Sequence, residues 1–298
     1  MLGELSALAA ALTIAFSAII SRSLAVLINA RPLQTIRAWF GAIFVLLMLA
    51  IFGRTGELTQ IPLRLIGFMG ASALVGVAIG DTFYMRTLRM VEVSRSFPTV
   101  RGTQIVATML IASLLFDEKV SWATGVGAFM ILGGVYLAAF AKRTGPGDGP
   151  SVSVPITKWV FTAMLAGLCW TVSFSFMKLV LMEVDALVAQ AIRLPLAALL
   201  LTTLSLQTGQ GKQLRIFAYK RKTIIFLVLS GILSYGMGVI FELYAISFAG
   251  MAKAAILTSW TPLFLLFLSA IFLKERITLR LLVGVLLCSG GTVVLMVL

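Results

Sequence analysis

The sequence predicts an all-α integral membrane protein with ten transmembrane helices arranged as two inverted five-helix repeats. Composition is the first reason: 60% of the 298 residues are hydrophobic and 12% are charged, whereas soluble domains carry about 25% charged residues. Segment length is the second reason, because the apolar residues form stretches of about 20, the length that a helix needs to cross a bilayer. The third is a set of features in the first half that recurs in the second half.

Ten apolar stretches are predicted to be helices, since in hydrocarbon every backbone N–H and C=O must find a partner within its own segment. The predicted helices are Leu5–Ile28, Leu33–Phe52, Leu65–Met85, Phe97–Phe116, Trp122–Ala141, Trp159–Val180, Leu187–Leu206, Ile224–Ile246, Ala252–Phe272 and Leu279–Leu298. The first follows Glu4 instead of a basic stretch and is too long for the apolar region of a signal peptide, so we expect it to span the membrane.

Paired features recur at an offset of 156 or 157 positions. The pairs are Arg22 with Lys178, Arg37 with Arg193, Glu118 with Glu275, Gly127 with Gly284, and Gly133–Gly134 with Gly290–Gly291. A polar stretch rich in glycine and proline separates the halves, which predicts a first repeat over 1–141, a linker over 142–157 and a second repeat over 158–298. Because five is an odd number, the second repeat would enter the membrane in the opposite sense, around a site near the midplane.

Composition also excludes several kinds of chemistry. The chain has no histidine, which excludes imidazole metal sites and Ser-His-Asp triads. Cys169 and Cys288 lie in apolar stretches without zinc or redox spacing, and no phosphate-binding Gly-x-x-x-x-Gly-Lys-Ser/Thr motif is present. The net charge of +13 is interpreted as loop charge that faces the cytoplasm and anionic lipid. We therefore expect no metal, no cofactor, no nucleic-acid partner and no enzyme.

Ionisable side chains inside the predicted helices are the first candidates for a site, because each costs about 2.5–3.5 kcal/mol to insert. Arg37 and Arg193 are predicted to bind an anionic or zwitterionic substrate; the alternative is that they reach the lipid headgroups. Asp81 and Glu242 are predicted to bind a substrate amine or to couple transport to a proton or ion, or else to pair with a neighbouring cation.

Hydroxyl, amide, indole and phenol groups on apolar helices complete the predicted binding set, since such donors within apolar walls suit a small-molecule cavity. These residues are Tyr84, Gln104, Trp170, Thr171, Tyr235, Tyr244, Ser259 and Trp260. Hydrogen bonding between helices is their alternative role. Pro98 and Pro262 are predicted helix hinges, and Pro262 is expected to leave free a backbone carbonyl that faces the eighth predicted helix.

With these motifs the chain resembles the EamA-like family of the drug/metabolite transporter superfamily. The matching features are two five-helix halves, a glutamate that ends the fourth helix of each half (Glu118 and Glu275), a glycine-pair helix after each glutamate, and Pro262 in the ninth helix. Two departures stand out: Ile105 occupies the position equivalent to Pro262, and Ala9–Ser17 lacks the proton-binding carboxylate of the half-size multidrug members. The resemblance implies a secondary transporter, with export as the direction.

The combined prediction is a secondary transporter that moves a small polar or amphipathic metabolite, such as an amino acid or related compound, by alternating access. We expect a multi-pass protein of a bacterial or archaeal inner (cell) membrane, whose partners are its substrate and the lipid bilayer, as a monomer or homodimer. The alternatives are an integral membrane lipid-handling enzyme or flippase, and a channel. The loop with the Lys212–Lys222 basic cluster is predicted to face the cytoplasm, which places both termini outside.

Overall fold

The computed structural model describes residues 2–115, 122–140, 155–250, 254, 257–258, 260–274 and 277–297. Every regular element within these ranges is helical, which confirms the all-α class. Six of the helices are long and apolar enough to cross a membrane by length and composition. The chain is therefore a multi-pass membrane protein.

The helices are numbered here α1 to α10 along the chain. Their bounds are α1 Leu2–Ala25, α2 Ala30–Ile51, α3 Leu63–Met90, α4 Val93–Leu115, α5 Trp122–Ala139, α6 Ile156–Val180, α7 Ala186–Gln207, α8 Arg221–Ala249, α9 Thr261–Phe272 and α10 Leu279–Val297. In the described part of the chain, three short 3₁₀ segments lie between helices, at Thr55–Gln60, Gly211–Leu214 and Ile216–Ala218.

The end of α3 differs from the prediction in a way that changes the site. Hydropathy predicts the end at Met85, but the helix continues to Met90, because charged side chains reduce the hydropathy before the backbone hydrogen bonding ends. Arg89 is stabilised in this last turn by donating from Nη1 to Asn29 Oδ1 at 2.6 Å. Asp81, expected at the helix end, therefore lies well inside α3 and is buried.

Both α3 and α8 change to π-helical geometry in the middle. The π-helical segments span Ala73–Gly80 in α3 and Ile232–Gly238 in α8. Wider turns of this kind occur frequently at functional sites. Each segment is rich in glycine, and at Gly76 the space is used fully: a Cβ there would overlap the hydroxyl of Ser173 on α6. The sequence pattern of apolar residues does not distinguish these segments from ordinary α-helix.

Replacing Gly76 with alanine is expected to lower the free energy of unfolding by about 1–3 kcal/mol, the usual cost of overpacking. The added methyl group would push away the Ser173 hydroxyl, which accepts a hydrogen bond from Arg193. Gly70 on the same helix is the matched control, since a Cβ there meets no atom within 4 Å. Thermal unfolding in lipid nanodiscs should place Gly70→Ala at or above the wild type, and equal losses for both variants would contradict the packing argument.

Helices α5 and α10 pack closely through glycine. A Cβ on Gly134 would collide with the carbonyl oxygen of Gly284, and a Cβ on Gly291 would lie 2.7 Å from the carbonyl oxygen of Gly127. Gly133 has open space around its Cβ position. Within the pairs Gly133–Gly134 and Gly290–Gly291, the second glycine therefore enables the close helix contact, as small residues do in membranes. The first glycine of each pair is not required for it.

Two ion pairs join the first half of the chain to the second at one end of the molecule. Arg54 Nη1 lies 2.9 Å from Asp185 Oδ1, and Arg64 Nη2 lies 2.5 Å from Glu183 Oε1. Arg54 also donates to both carboxylate oxygens of Glu57, and this hydrogen bonding holds the pKa of Glu57 below its usual value. The connection after α2 is thus tied electrostatically to the connection after α6.

Candidate functional site

A cavity lies between helices α1, α3, α4, α6, α7 and α8. Its wall consists of Ile14, Gly76, Val77, Asp81, Arg101, Trp170, Ser173, Phe174, Arg193, Ser234, Tyr235, Val239 and Glu242. The volume is about 70 Å³, and a single water needs about 10–15 Å³ on this scale. In this conformation the cavity accommodates a few waters or a very small solute.

The Asp81 carboxylate connects helices from both halves of the chain. Its Oδ1 accepts a hydrogen bond from Trp170 Nε1 on α6 at 2.7 Å, and its Oδ2 accepts one from the Tyr235 hydroxyl at 2.5 Å. Tyr235 belongs to the π-helical segment of α8. Both donors are neutral, so the carboxylate is held by hydrogen bonds from an indole and a phenol.

Glu242 forms a buried ion pair with Arg101, a residue that the sequence analysis did not select. Arg101 Nη1 lies 2.8 Å from Glu242 Oε1, with 6% and 8% of the two side chains exposed. Arg101 Nη1 also donates to Gln104 Oε1 at 2.7 Å. The guanidinium group lies 5.8 Å from the centre of the Trp170 ring. The sequence feature that could have pointed to Arg101 is a charged residue inside the predicted helix Phe97–Phe116.

Arg193 reaches the cavity, and each of its three guanidinium nitrogens donates to a neutral side chain. Its Nε donates to Ser72 Oγ at 2.9 Å, its Nη1 to Gln190 Oε1 at 3.2 Å and its Nη2 to Ser173 Oγ at 3.0 Å. The residue is 4% exposed. The alternative that Arg193 extends to the lipid headgroups is therefore wrong.

Arg37 has an equivalent environment and does not line the cavity. Its Nε donates to Ser230 Oγ at 3.1 Å, its Nη1 to Gln34 Oε1 at 2.5 Å and its Nη2 to Ser17 Oγ at 3.1 Å. Each arginine thus donates hydrogen bonds to a glutamine three positions before it, to a serine of its own half of the chain and to a serine of the other half. Arg37 is 2% exposed, which also rules out a headgroup contact.

A second, smaller cavity adjoins the first. It has a volume of about 20 Å³, and its wall contains Arg101, Gln104, Ile105, Thr108, Phe174, Glu242, Ile246 and Ala254. Arg101 and Glu242 line both cavities. The ion pair therefore stands between them, and Gln104 belongs to the second one.

The remaining predicted binding residues lie away from the cavity wall. Tyr84 is buried and packs edge-on against Trp170 with ring centres 5.4 Å apart. Thr171 has the interhelical role, since its hydroxyl lies within donating distance of the carbonyl oxygen of Gln104 on α4 as well as that of Gly167 in its own helix. Tyr244 donates to Asp185 Oδ1 at 3.1 Å. Trp260 is exposed. Three further residues of the sequence analysis lie outside the described residues: Ser259, Glu118 and Glu275.

The two predicted hinge prolines occupy different places in their helices. Helix α4 begins at Val93 and is continuous through Pro98. Pro262 lies in the first turn of α9, directly after a turn at Trp260. The expectation that Pro262 leaves a carbonyl free is wrong, because the Thr261 hydroxyl donates to the carbonyl oxygen of Thr258 at 2.6 Å.

These groups are suited to binding a polar solute inside the membrane. Two carboxylate and two guanidinium groups share the wall of one cavity, so their formal charges balance. Among the described residues there is no group of three His, Cys, Asp or Glu side chains that could hold a metal ion. Polar cavities between membrane helices are where secondary transporters bind their substrates. Fold and cavity together define a multi-pass membrane protein of the transporter class.

Comparison with known proteins shows to which transporter family the chain belongs. The model of the EamA-like transporter family matches residues 1–140 and matches again over 157–297. The chain therefore belongs to the EamA-like transporter family, within the drug/metabolite transporter superfamily.

Relatives and a solved structure cover most of the chain. It is 25% identical over 285 residues to an uncharacterized transporter of Archaeoglobus fulgidus, with 96% of this chain and 94% of the relative covered. It is also 25% identical over 247 residues to a Listeria innocua protein named for sugar uptake, covering 78% and 80%. A protein of known crystal structure superposes with a TM-score of 0.63 at 17% identity, covering 96% of both chains. This last likeness supports the fold alone.

Proposed function

We propose that this protein exports a small polar or amphipathic metabolite, such as an amino acid or related compound, as a secondary transporter that works by alternating access. The observation that carries the proposal is the polar cavity with balanced charges, whose wall is drawn from both halves of the chain. Ionisable groups at such depth are expensive in a membrane and usually serve a substrate or ion pathway. A transporter, and not an enzyme, is the function that this arrangement supports.

The proposed architecture is ten helices in two inverted repeats, over 1–141 and 158–298, joined by the linker 142–157. Three observations support it: the equivalent hydrogen-bond networks of Arg37 and Arg193, the π-helical segments in the middle of both α3 and α8, and a family model that matches the chain twice. In this architecture the two halves rock against each other around the cavity.

Roles within the proposed site follow from position. Asp81, Trp170, Arg193, Tyr235 and Glu242 line the cavity and are proposed to contact the substrate, with Asp81 and Glu242 as the candidates for coupling to a proton or ion. The other predicted residues, with the exception of Tyr84, are proposed to support the site through helix packing. The protein is proposed to act as a monomer or homodimer in the cell membrane of a bacterium or archaeon.

Reconstitution into proteoliposomes tests the proposal. Vesicles that contain the protein are loaded with amino acids and, because of the Listeria relative's name, with sugars, and efflux and uptake are both measured. We expect the wild type to move one class of solute. Glu242→Gln and Arg193→Ala are each expected to lower the rate at least tenfold. Glu57→Gln and Arg280→Ala, on side chains outside the cavity, are the matched controls.

Three results would count against the proposal. Wild-type rates in both cavity variants would remove the site assignment. Ion conductance in a planar bilayer would favour a channel. Movement of a labelled phospholipid between leaflets, without transport of any soluble metabolite, would favour the lipid-handling alternative.

A further inference from the structure

Arg101 differs from the other two buried arginines near the cavity in how its guanidinium group is used. Arg37 and Arg193 each donate from Nε, Nη1 and Nη2. Among the residues that the structure describes, Arg101 donates only from Nη1, to Glu242 and Gln104. Its Nε is buried and has no acceptor among the described residues. The Nε–Nη2 edge, which is the side that binds carboxylates through two parallel hydrogen bonds, is thus without a protein partner there.

Tyr84 supplies a second donor of the same kind. Its hydroxyl is buried and, within the described ranges, has no hydrogen-bond partner. The Tyr84 ring contacts Phe97 and Trp170 at centre-to-centre distances of 5.9 and 5.4 Å. The Arg101 guanidinium lies over the same two rings, at 5.9 and 5.8 Å from their centres. Buried donors without an acceptor are rare in proteins, and two beside one aromatic pair indicate an acceptor that comes from outside the chain.

We propose that the Nε–Nη2 edge of Arg101 and the Tyr84 hydroxyl form an oxyanion subsite that binds a carboxylate of the substrate. This inference rests on the proposed function and names the chemical group that the substrate must carry. The planar guanidinium fork matches a carboxylate in geometry and charge. Since Nη1 holds Glu242, the ligand binds without displacing the ion pair.

Trp170 separates this subsite from the acidic side of the cavity. Its ring lies beneath Arg101, whereas its Nε1 donates to Asp81. A substrate carboxylate at Arg101 is therefore kept apart from the Asp81 carboxylate by the indole. A donor group on the same substrate would then point toward Asp81. The arrangement favours small solutes with a carboxylate at one end and a hydrogen-bond donor at the other.

Paired probes test the subsite without knowledge of the natural substrate. The full chain, in nanodiscs of phosphatidylcholine without anionic lipid, is titrated with propionate and propionamide, and with lactate and lactamide, while the thermal unfolding midpoint is followed. The wild type is expected to bind each carboxylate at least tenfold more tightly than its amide. Tyr84→Phe is expected to weaken carboxylate binding about tenfold, the value of one hydrogen bond to a charged acceptor, without loss of folding.

Arg101→Lys keeps the charge beside Glu242 but removes the fork, and is expected to weaken carboxylate binding at least tenfold. Arg95→Lys is its matched control: Arg95 lies on the same helix, 5.3 Å from the Trp159 ring centre, and pairs with Glu92 at 3.3 Å, but it does not line the cavity. It should bind the probes as the wild type does. If Arg101→Lys does not fold, Tyr84→Phe still decides.

Equal binding of carboxylates and amides by the wild type would overturn the subsite. Unchanged carboxylate affinity in Tyr84→Phe would do the same. Transport of a neutral solute at wild-type rates in both variants would overturn the subsite and leave the transporter function standing. Selective carboxylate binding by a protein that transports nothing would support the subsite and count against the proposed function.

Discussion

Replacing Arg101 with methionine is expected to lower the free energy of unfolding by about 3–5 kcal/mol, because it leaves the Glu242 carboxylate buried without its partner. The pair is nearly inaccessible, at 6% and 8% exposure, so water cannot compensate for the lost charge. The free energy of unfolding can be measured by steric trapping in lipid bicelles. Arg64→Met is the matched control, since the Arg64–Glu183 pair is 65% and 45% exposed and should cost less than about 1 kcal/mol.

The double variant Arg101→Met with Glu242→Met distinguishes the stability cost of removing the whole ion pair from the cost of leaving one charged partner buried alone. Replacing a whole buried ion pair with apolar side chains of similar volume is often neutral. We therefore expect the double variant to recover most of the stability that Arg101→Met loses, while its transport rate stays at least tenfold below that of the wild type. Additive losses in the double variant would mean that the two side chains do not interact, and would contradict the geometry at this position.

Hydropathy and charge predict much of this fold because the bilayer limits what a segment can be. Apolar length alone places α2 and α7 within a few residues of their observed bounds. The same reasoning misplaces the end of α3, since Arg86 and Arg89 lower the hydropathy while the backbone continues in helical form. The π-helical segment Ala73–Gly80 leaves no trace in composition, because helical and π-helical turns use the same apolar residues.

The sequence predicts which charged residues belong to the candidate site, but it does not predict which residues they pair with. Asp81, Arg193 and Glu242 are recognisable because a charge inside an apolar stretch is costly. Their partners depend on which helices meet in space: Arg101 and Glu242 are 141 positions apart, and no local pattern links them. Arg101 is not recognisable in this way, because it lies near the polar beginning of its predicted helix, where a long side chain commonly extends to the headgroups.

Cross-linking the two halves at the end that holds the Arg64–Glu183 ion pair is expected to reduce transport at least tenfold. Alternating access requires that the halves separate at each end in turn, and the pairs of Arg54 with Asp185 and Arg64 with Glu183 hold them together at this one. Arg64→Cys with Glu183→Cys, in a background that lacks Cys169 and Cys288, allows a short cleavable thiol cross-linker to join the beginning of α3 to the connection after α6.

A second cysteine pair controls for the chemistry of the cross-link. Gly56 and Thr59 lie within the same connection after α2, are both exposed, and approach each other closely enough for the Thr59 hydroxyl to donate to the Gly56 carbonyl oxygen at 2.9 Å. Cross-linking Gly56→Cys to Thr59→Cys bridges positions within one half and should leave the transport rate unchanged. Reducing agent should restore transport in the inter-half pair. Full transport after complete inter-half cross-linking would show that the halves need not separate there, and the rocking motion would have to be abandoned.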